Sequence, residues 1–478
     1  MKSKGYMARR TKIICTIGPA SGSTTVIEKL VEAGMNVARL NLSHGDHEEH
    51  ARYVQKIRRI SQRLGINVAV LLDLPGSKYR VGELINGQAE LEKGSHIVLT
   101  TRQVEGNASL VPVNIPHLPR DVNVDDIILL DDGALQLRVL SKAGTEIKCL
   151  VKVGGMLKNG RGLVVPGMRA SGPFITDTLK QHILFAIREQ PEYIALSFVS
   201  DADDVAQVRA VLKSKGADIP IIAKIERGIA VKNFDSILAA SDGIMVARGD
   251  LGVDIPLEKV PLVQKEVIRK CNKAGKPVIT ATQMLESMIS AYRPTRAEVT
   301  DVANAIFDGT DATMLSSETS VGKYPVQTVK IMAKIAQEAE SSLPYDQMLA
   351  EKGRWLEQEI PELIAYNACH TAQGLRAAAI VAFTQSGSTA GRVSKFRPRV
   401  PILAISPDHV VCGRLMLWWG VNPVQIVEVP LVEDLFATAV SLTQELGLAK
   451  SGDIIVITGG IPIGIVGSTN LLKVERIP

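Results

Sequence analysis

Eight short apolar runs, each followed by a stretch with helical spacing, constrain this chain more than any other feature. Three stand at residues 11–18, 36–43 and 67–75. Five more stand at 193–199, 219–226, 243–251, 277–285 and 312–318. Apolar runs bounded by turn residues read as buried strands. Parallel strands need a long crossover between them, usually a helix. Eight strand–helix units are the arithmetic of a closed (β/α)8 TIM barrel, and a doubly wound open sheet is rarer at that count.

Between the third and fourth units the texture changes. Residues 76–173 show little helical periodicity, and alternating segments at 96–100, 126–130 and 135–140 are divided by Gly, Asn and Asp turns. That pattern predicts a small all-β module, inserted after the third strand. From residue 343 strand-like runs at 379–384, 402–406, 423–428 and 453–458 alternate with helical patterns, as in an ordinary α/β domain. The expected class is therefore α/β. It has an N-terminal tail at 1–7, a barrel at 8–75 and 174–342, a β lid at 76–173 and a C-terminal α/β domain at 343–478.

The 478 residues leave room for about three domains and a large core without disulfides or a structural metal. A formal charge of +5 is nearly neutral at this length and demands no nucleic-acid groove. No apolar run reaches the ~18 residues that span a bilayer. Cys15, Cys149, Cys271, Cys369 and Cys412 are scattered with no Cys-x-x-Cys pair, which predicts buried thiols in a reducing cytosol. The basic residues 1–12 have no apolar stretch behind them, unlike a secretory signal. The expectation is a cytoplasmic protein with neither nucleic acid nor membrane as partner.

Barrel enzymes carry their chemistry at the C-terminal ends of the strands. Those ends supply Arg39, Asn41 and Ser43; Asp73; Lys224 and Glu226; Arg248, Gly249 and Asp250; Thr282; and Ser316 with Glu318. Glu226 and Asp250 are hard oxygen ligands from neighbouring strands and suit Mg²⁺ or Mn²⁺. No His or Cys accompanies them, which disfavours zinc. Lys224 and Arg39 add cations, and cations around a bound anion stabilise phosphoryl transfer. Each residue alone could equally serve a barrel salt-bridge network. His44, His47 and His50 are spaced as a solvated helix start rather than a zinc site, and Asp131-Asp132-Gly133 reads as a hairpin turn.

The segments ARLNLSHG (38–45), IAKIERG (222–228), VARGDLG (246–252), TATQMLESM (280–288) and PTRAEVTDVANAIFDGTDATMLSSET (294–319) resemble the pyruvate kinase family. The resemblance covers nearly the whole chain. It implies transfer of a phosphoryl group from phosphoenolpyruvate to ADP, giving pyruvate and ATP. By the same resemblance, Glu226 and Asp250 hold Mg²⁺, while Lys224 and Arg39 neutralise the phosphoryl group. Gly249 and Asp250 hold the substrate carboxylate, and Thr282 delivers the enolate proton with Ser316 and Glu318 behind it. Arg80, Asn41 and His44 would contact the nucleotide, with Asp131–Gly133 closing over it.

Asn41, Ser43, Asp73 and the carbonyl of Leu74 match the family's K⁺ ligands. K⁺-requiring members have a glutamate where this chain has Lys78, and a lysine there resembles a K⁺-independent branch. The ammonium would repel the ion it replaces, so K⁺ is expected to be dispensable. Thr384, Gln385, Ser386, Gly387, Ser388 and Thr389 precede a helical segment at 390–396 and resemble the loop that holds a phosphorylated allosteric effector. Residues 467–470 resemble the loop that folds over it. The family also implies a homotetramer. The rival readings are a Mg²⁺-dependent enolate-forming barrel lyase or aldolase, and an inactive sugar-phosphate sensor.

Overall fold

The computed structural model describes residues 9–76, 79–169, 171–427, 431–462, 465 and 467–478. Ser77 and Lys78 lie outside the described residues. The chain opens with strands β1 (Lys12–Thr16), β2 (Val37–Asn41) and β3 (Ala69–Leu74). Their side chains are buried on both faces, apart from the half-buried Asn41, as a parallel sheet covered by helices requires. Asp46 caps the helix His47–Leu64 by accepting the Glu49 N–H at 2.7 Å, and Gly65 ends it at φ +64. The Glu49 carboxylate accepts the Tyr53 hydroxyl at 2.7 Å rather than completing a capping box.

After β3 the chain leaves the barrel. It forms β4 (Gln88–Leu91), β5 (His96–Thr100), β6 (Leu110–Pro112), β7 (Ile127–Leu130), β8 (Leu135–Ala143), β9 (Glu146–Val153), β10 (Gly155–Lys158) and β11 (Leu163–Val164). Six of these pair in the order β11-β7-β8-β9-β5-β6, around a core of their own that includes Leu99, Leu130, Leu137 and Ile147. The remaining barrel strands are β12 (Tyr193–Leu196), β13 (Ile221–Ile225), β14 (Gly243–Ala247), β15 (Val278–Ala281) and β16 (Ala312–Leu315). The sheet closes in the order β1-β16-β15-β14-β13-β12-β3-β2, with Lys12 opposite Ala312 and Ile14 opposite Val37. Ile14, Leu71, Ile222, Met245 and Met314 fill the interior, and Met416 and Leu417 from the C-terminal region pack into the same cluster.

The C-terminal sheet runs β19-β18-β17-β20-β21, from β17 (Ala379–Phe383), β18 (Ile402–Ser406), β19 (Val421–Gln425), β20 (Ile454–Gly460) and β21 (Thr469–Arg476). Most barrel strands end two to four residues before the expected bound, β15 at Ala281 among them; other differences bear on the site and the C-terminal domain. The sixth barrel strand ends at Ala247, and Arg248–Asp254 is already helical. β19 begins at Val421, two residues before the expected start, and carries Pro423 inside it. β21 was not expected at all. It pairs antiparallel with β20, and Thr469 and Asn470 belong to it rather than to a loop.

Candidate functional site

The C-terminal ends of the barrel strands do converge. Asp73, at the end of β3, is fully buried and takes cations on both oxygens. Arg39 Nε donates to its Oδ2 at 2.8 Å and Lys224 Nζ lies 3.2 Å from its Oδ1. Burial alone would raise the Asp73 carboxyl, but Lys224 and Arg39 outweigh burial and hold it below the usual carboxylate range. Arg39 also donates to Thr16 Oγ1 at 2.8 Å. Lys224 reaches Glu226 Oε1 at 2.8 Å and Ser197 Oγ at 2.8 Å. Burial works against its charge, yet the two carboxylates raise its pKa above the ordinary lysine value.

Glu226 is buried, and its Oε2 accepts the Phe198 N–H at 2.6 Å. Burial pushes its carboxyl up and the like charge of Asp250 adds to this, against the pull of Lys224. Glu226 and Asp250 line one cavity of about 30 Å³, roofed by Tyr79, Asp132, Leu163, Val165 and Met168 of the β domain. The lid is therefore closed down on the mouth. Among the described residues no group of three or more His, Cys, Asp or Glu is arranged to hold a metal ion. The metal-type donors here are one pair of carboxylates, which leaves other positions to water and substrate oxygens.

Thr282 sits just past β15 in the left-handed region, at φ +69, followed by Gln283 at φ +54. Its hydroxyl donates to Ala281 O at 2.6 Å and accepts the Gly249 N–H at 2.8 Å. Arg248 fixes this turn, donating to Thr282 O at 2.7 Å and to Gln283 O at 3.2 Å while pairing with Asp301 at 2.8 Å. Beyond β16, Glu318 accepts the Ser316 N–H at 2.7 Å and the Leu285 N–H at 3.2 Å. Burial pushes its carboxyl upward. Ser316 Oγ is buried without a protein hydrogen-bond partner among the described residues.

Other expected site residues stand apart from this cavity. Asn41 is half-buried and accepts the Ser43 N–H at 3.2 Å, and Ser43 and His44 are exposed. His50 Nε2 bonds the His44 carbonyl, and His47 pairs with His182 at 2.9 Å, so the histidines serve the helix start. The Leu74 carbonyl accepts the Ser197 N–H at 3.3 Å. Arg80 is exposed on the β domain, donates to Gly160 O, and lines a neighbouring cavity of about 360 Å³ with Asp131, Asp132 and Lys158. Asp131–Gly133 forms the turn between β7 and β8, and Asp132 faces both cavities.

In the C-terminal domain Thr384 Oγ1 accepts the Gly387 N–H at 2.9 Å, and Thr389 Oγ1 meets Thr469 Oγ1 at 2.8 Å. Gln385 is half-buried. The helix begins at Ser388 rather than 390, so Ser388 and Thr389 lie inside its first turn. Ser386, Gly387 and Ser388 line a cavity of about 430 Å³. Sequence reasoning missed Thr16, Ser197, Phe198, Arg227 and Asp254. Ser197 and Phe198 had a usable signal, since a serine directly after the apolar run of β12 was a strand end left unread.

A closed barrel whose mouth holds buried cations against paired carboxylates, under a separate β lid, defines a barrel enzyme built for anionic, phosphorylated substrates. Comparison with known proteins narrows this. The family described as "Pyruvate kinase, barrel domain" matches residues 8–329, and "Pyruvate kinase, alpha/beta domain" matches 362–475. A pyruvate kinase from Geobacillus stearothermophilus is 49% identical over 98% of this chain and 81% of its own length. One from Staphylococcus aureus (strain MRSA252) is 46% identical over 98% of this chain and 80% of its own. The crystal structure of a pyruvate kinase from Cryptosporidium parvum superposes with a TM-score of 0.95 at 38% identity, covering 99% of this chain and 97% of that one. The chain belongs to the pyruvate kinase family, and is a phosphotransferase.

Proposed function

We propose that this chain moves the phosphoryl group of phosphoenolpyruvate to ADP with Mg²⁺ and then protonates the enolate to pyruvate. One observation carries this reading: a buried lysine, Lys224, is held between Asp73 and Glu226, beside the cavity that Glu226 shares with Asp250. Lys224 and Arg39 place two positive charges where a transferring phosphoryl group develops negative charge. The Gly249 N–H, already aimed at a hydroxyl oxygen, is a donor at a helix start and suits the substrate carboxylate. Thr282 Oγ1 is the hydroxyl nearest that donor and supplies the enolate proton. Ser316 Oγ has spare hydrogen-bond capacity to pass it on, and Glu318, its carboxyl pushed upward by burial, stands behind.

Glu226 and Asp250 fit a hard divalent cation, because two like charges share one cavity with no His or Cys beside them. Bound there, Mg²⁺ would neutralise charge on the enolate and phosphoryl oxygens. Arg80, Asn41 and His44 would hold ADP, with Asp132 closing over it. For the monovalent site, both Asp73 oxygens are already engaged by Arg39 and Lys224. That supports K⁺ being dispensable, with Lys78 supplying the charge. The loop Thr384–Thr389 would take a phosphorylated effector, and the active form would be a cytoplasmic homotetramer. The comparisons favour neither the lyase nor the sensor reading.

The test is pyruvate formation from phosphoenolpyruvate and ADP with Mg²⁺, first with K⁺ and then with tetramethylammonium as the sole monovalent cation. Equal rates are expected. A rate that collapses without K⁺ would leave the transfer reaction standing and remove the Lys78 argument. No pyruvate in either condition would remove the reading itself.

A further inference from the structure

The β domain and the barrel meet at one aromatic–cation stack. Tyr79 belongs to the lid by its backbone, since its carbonyl accepts the Leu163 N–H of β11 at 2.8 Å. Its side chain packs against the β-domain core and also meets Arg227 of the barrel. The Arg227 guanidinium lies 5.5 Å from the Tyr79 ring centre and 4.9 Å from that of Phe198. A guanidinium between two rings is held by cation–π attraction and by its planar shape, which an ammonium cannot reproduce.

Both barrel partners are joined to one carboxylate. Arg227 is the residue after Glu226. Phe198 donates its N–H to Glu226 Oε2 at 2.6 Å, from a strained backbone at φ +57. Gly76, at the hinge, would put a Cβ 2.8 Å from Ser197 O and 3.0 Å from the Phe198 ring, so the hinge strand crosses over this peptide with no room to spare. On the far side Asp254 accepts the Gly228 N–H at 2.5 Å and lines one cavity with Val165 and Met168 of the β domain. Arg227, next to Glu226 in the chain, is therefore held by a lid ring, and Phe198, bonded to Glu226 through its peptide, is held through Arg227.

We propose that Tyr79, Arg227 and Phe198 form a latch through which closure of the β domain positions the Glu226 carboxylate for its cation. The three are positioning residues. The inference rests on Glu226 being a cation ligand, as proposed above. With the lid open, Tyr79 leaves the stack, Arg227 loses one face, and the Phe198 peptide is free to relax from its strained conformation. With the lid down, that peptide N–H fixes one oxygen of Glu226.

The experiment uses the full chain and Mn²⁺ as the probe, its free-ion electron paramagnetic resonance signal reporting binding without turnover. Tyr79→Ile is expected to bind Mn²⁺ about tenfold more weakly, between the worth of an exposed and of a desolvated cation–π contact, since both groups are half-buried. Arg227→Lys is expected to do the same, because the charge stays and the planar stack is lost. Tyr79→Phe keeps the ring and is expected to recover most of the affinity. Circular dichroism confirms that each variant is folded. A folded Tyr79→Ile with parental Mn²⁺ affinity would overturn the latch, even if kcat fell, because loosened lid packing alone would produce that fall. Glu226→Gln separates the two layers. If it leaves Mn²⁺ binding intact, the ligand assignment fails; if it abolishes binding while Tyr79→Ile does not weaken it, only the latch fails.

Discussion

The Lys224 ammonium is shared by two buried carboxylates, lying 3.2 Å from Asp73 and 2.8 Å from Glu226. Lys224→Met leaves both carboxylates facing an apolar chain in a dry site. Breaking a buried pair in this way costs ~3–5 kcal/mol, more than the pair itself is worth. Activity should fall further than stability, by about a thousandfold, because a preorganised charge is lost where the phosphoryl group moves. Urea unfolding and initial rates on one preparation check both. A variant that is unstable yet retains most of its kcat would show that Lys224 serves the fold alone.

Ser197 carries a smaller and cleaner prediction. Its hydroxyl accepts Lys224 at 2.8 Å and donates weakly to Asp73 at 3.4 Å, so it aims the ammonium. Ser197→Ala should lower kcat/KM about tenfold, about 1.4 kcal/mol, with little change in thermal midpoint. Steady-state kinetics with phosphoenolpyruvate as the varied substrate decide it, and an unchanged kcat/KM would make the contact incidental.

The barrel was legible because each strand is a run of buried residues with turn signals at both ends, and burial on two faces leaves a strong apolar mark. Arg39, Asp73, Lys224, Glu226 and Thr282 were legible as polar residues ending such runs. Ser197 was not read, because a serine after YIAL looks like an ordinary turn residue until Lys224 is seen against it. The early end of β14 was hidden for a different reason. Arg248, Gly249 and Asp250 read as the polar end of the strand, and only the backbone shows that they have already turned helical. β21 was missed because its exposed face reads as polar tail. The cation–π stack at Tyr79 joins residues nearly 150 positions apart, and no local pattern carries that.

Arg248 holds the turn that presents Thr282, and it does so with a fork. Thr282 O, Gln283 O and Asp301, with Gln264 Oε1 and Met284 Sδ beside them, surround one planar head. Arg248→Lys cannot reach them all. The positive φ values at Thr282 and Gln283 should then relax, because such strain persists only where surroundings enforce it. The expected result is a kcat about thirtyfold lower, in the range a misplaced catalytic group produces. Deuterium uptake into the methyl group of pyruvate should slow in parallel. If uptake is untouched while kcat falls, Arg248 acts elsewhere than on the proton step.

Lys352 gives the pH prediction. It is buried between the barrel and the C-terminal domain, 3.3 Å from Asn272 Oδ1 and 5.2 Å from the Trp355 ring centre. Burial first, then Arg397 and Lys395, push its pKa down to about 7, against the opposing pull of Asp311 and Glu351. Between about 7 and the ordinary value of 10.5 the unfolded chain holds a proton that the folded chain does not. Folding stability attributable to this group therefore rises with pH across that window and is flat above it. Lys352→Met removes the proton linkage and fits the apolar part of the site. It should raise stability by about 2 kcal/mol at pH 7.5, and by much less at pH 10, where the folded amine is neutral and the unfolded one is close to its own pKa. Denaturant titrations at the two pH values measure the difference. An equal loss at both would mean that the contacts with Asn272 and Trp355 outweigh the cost of burying the amine.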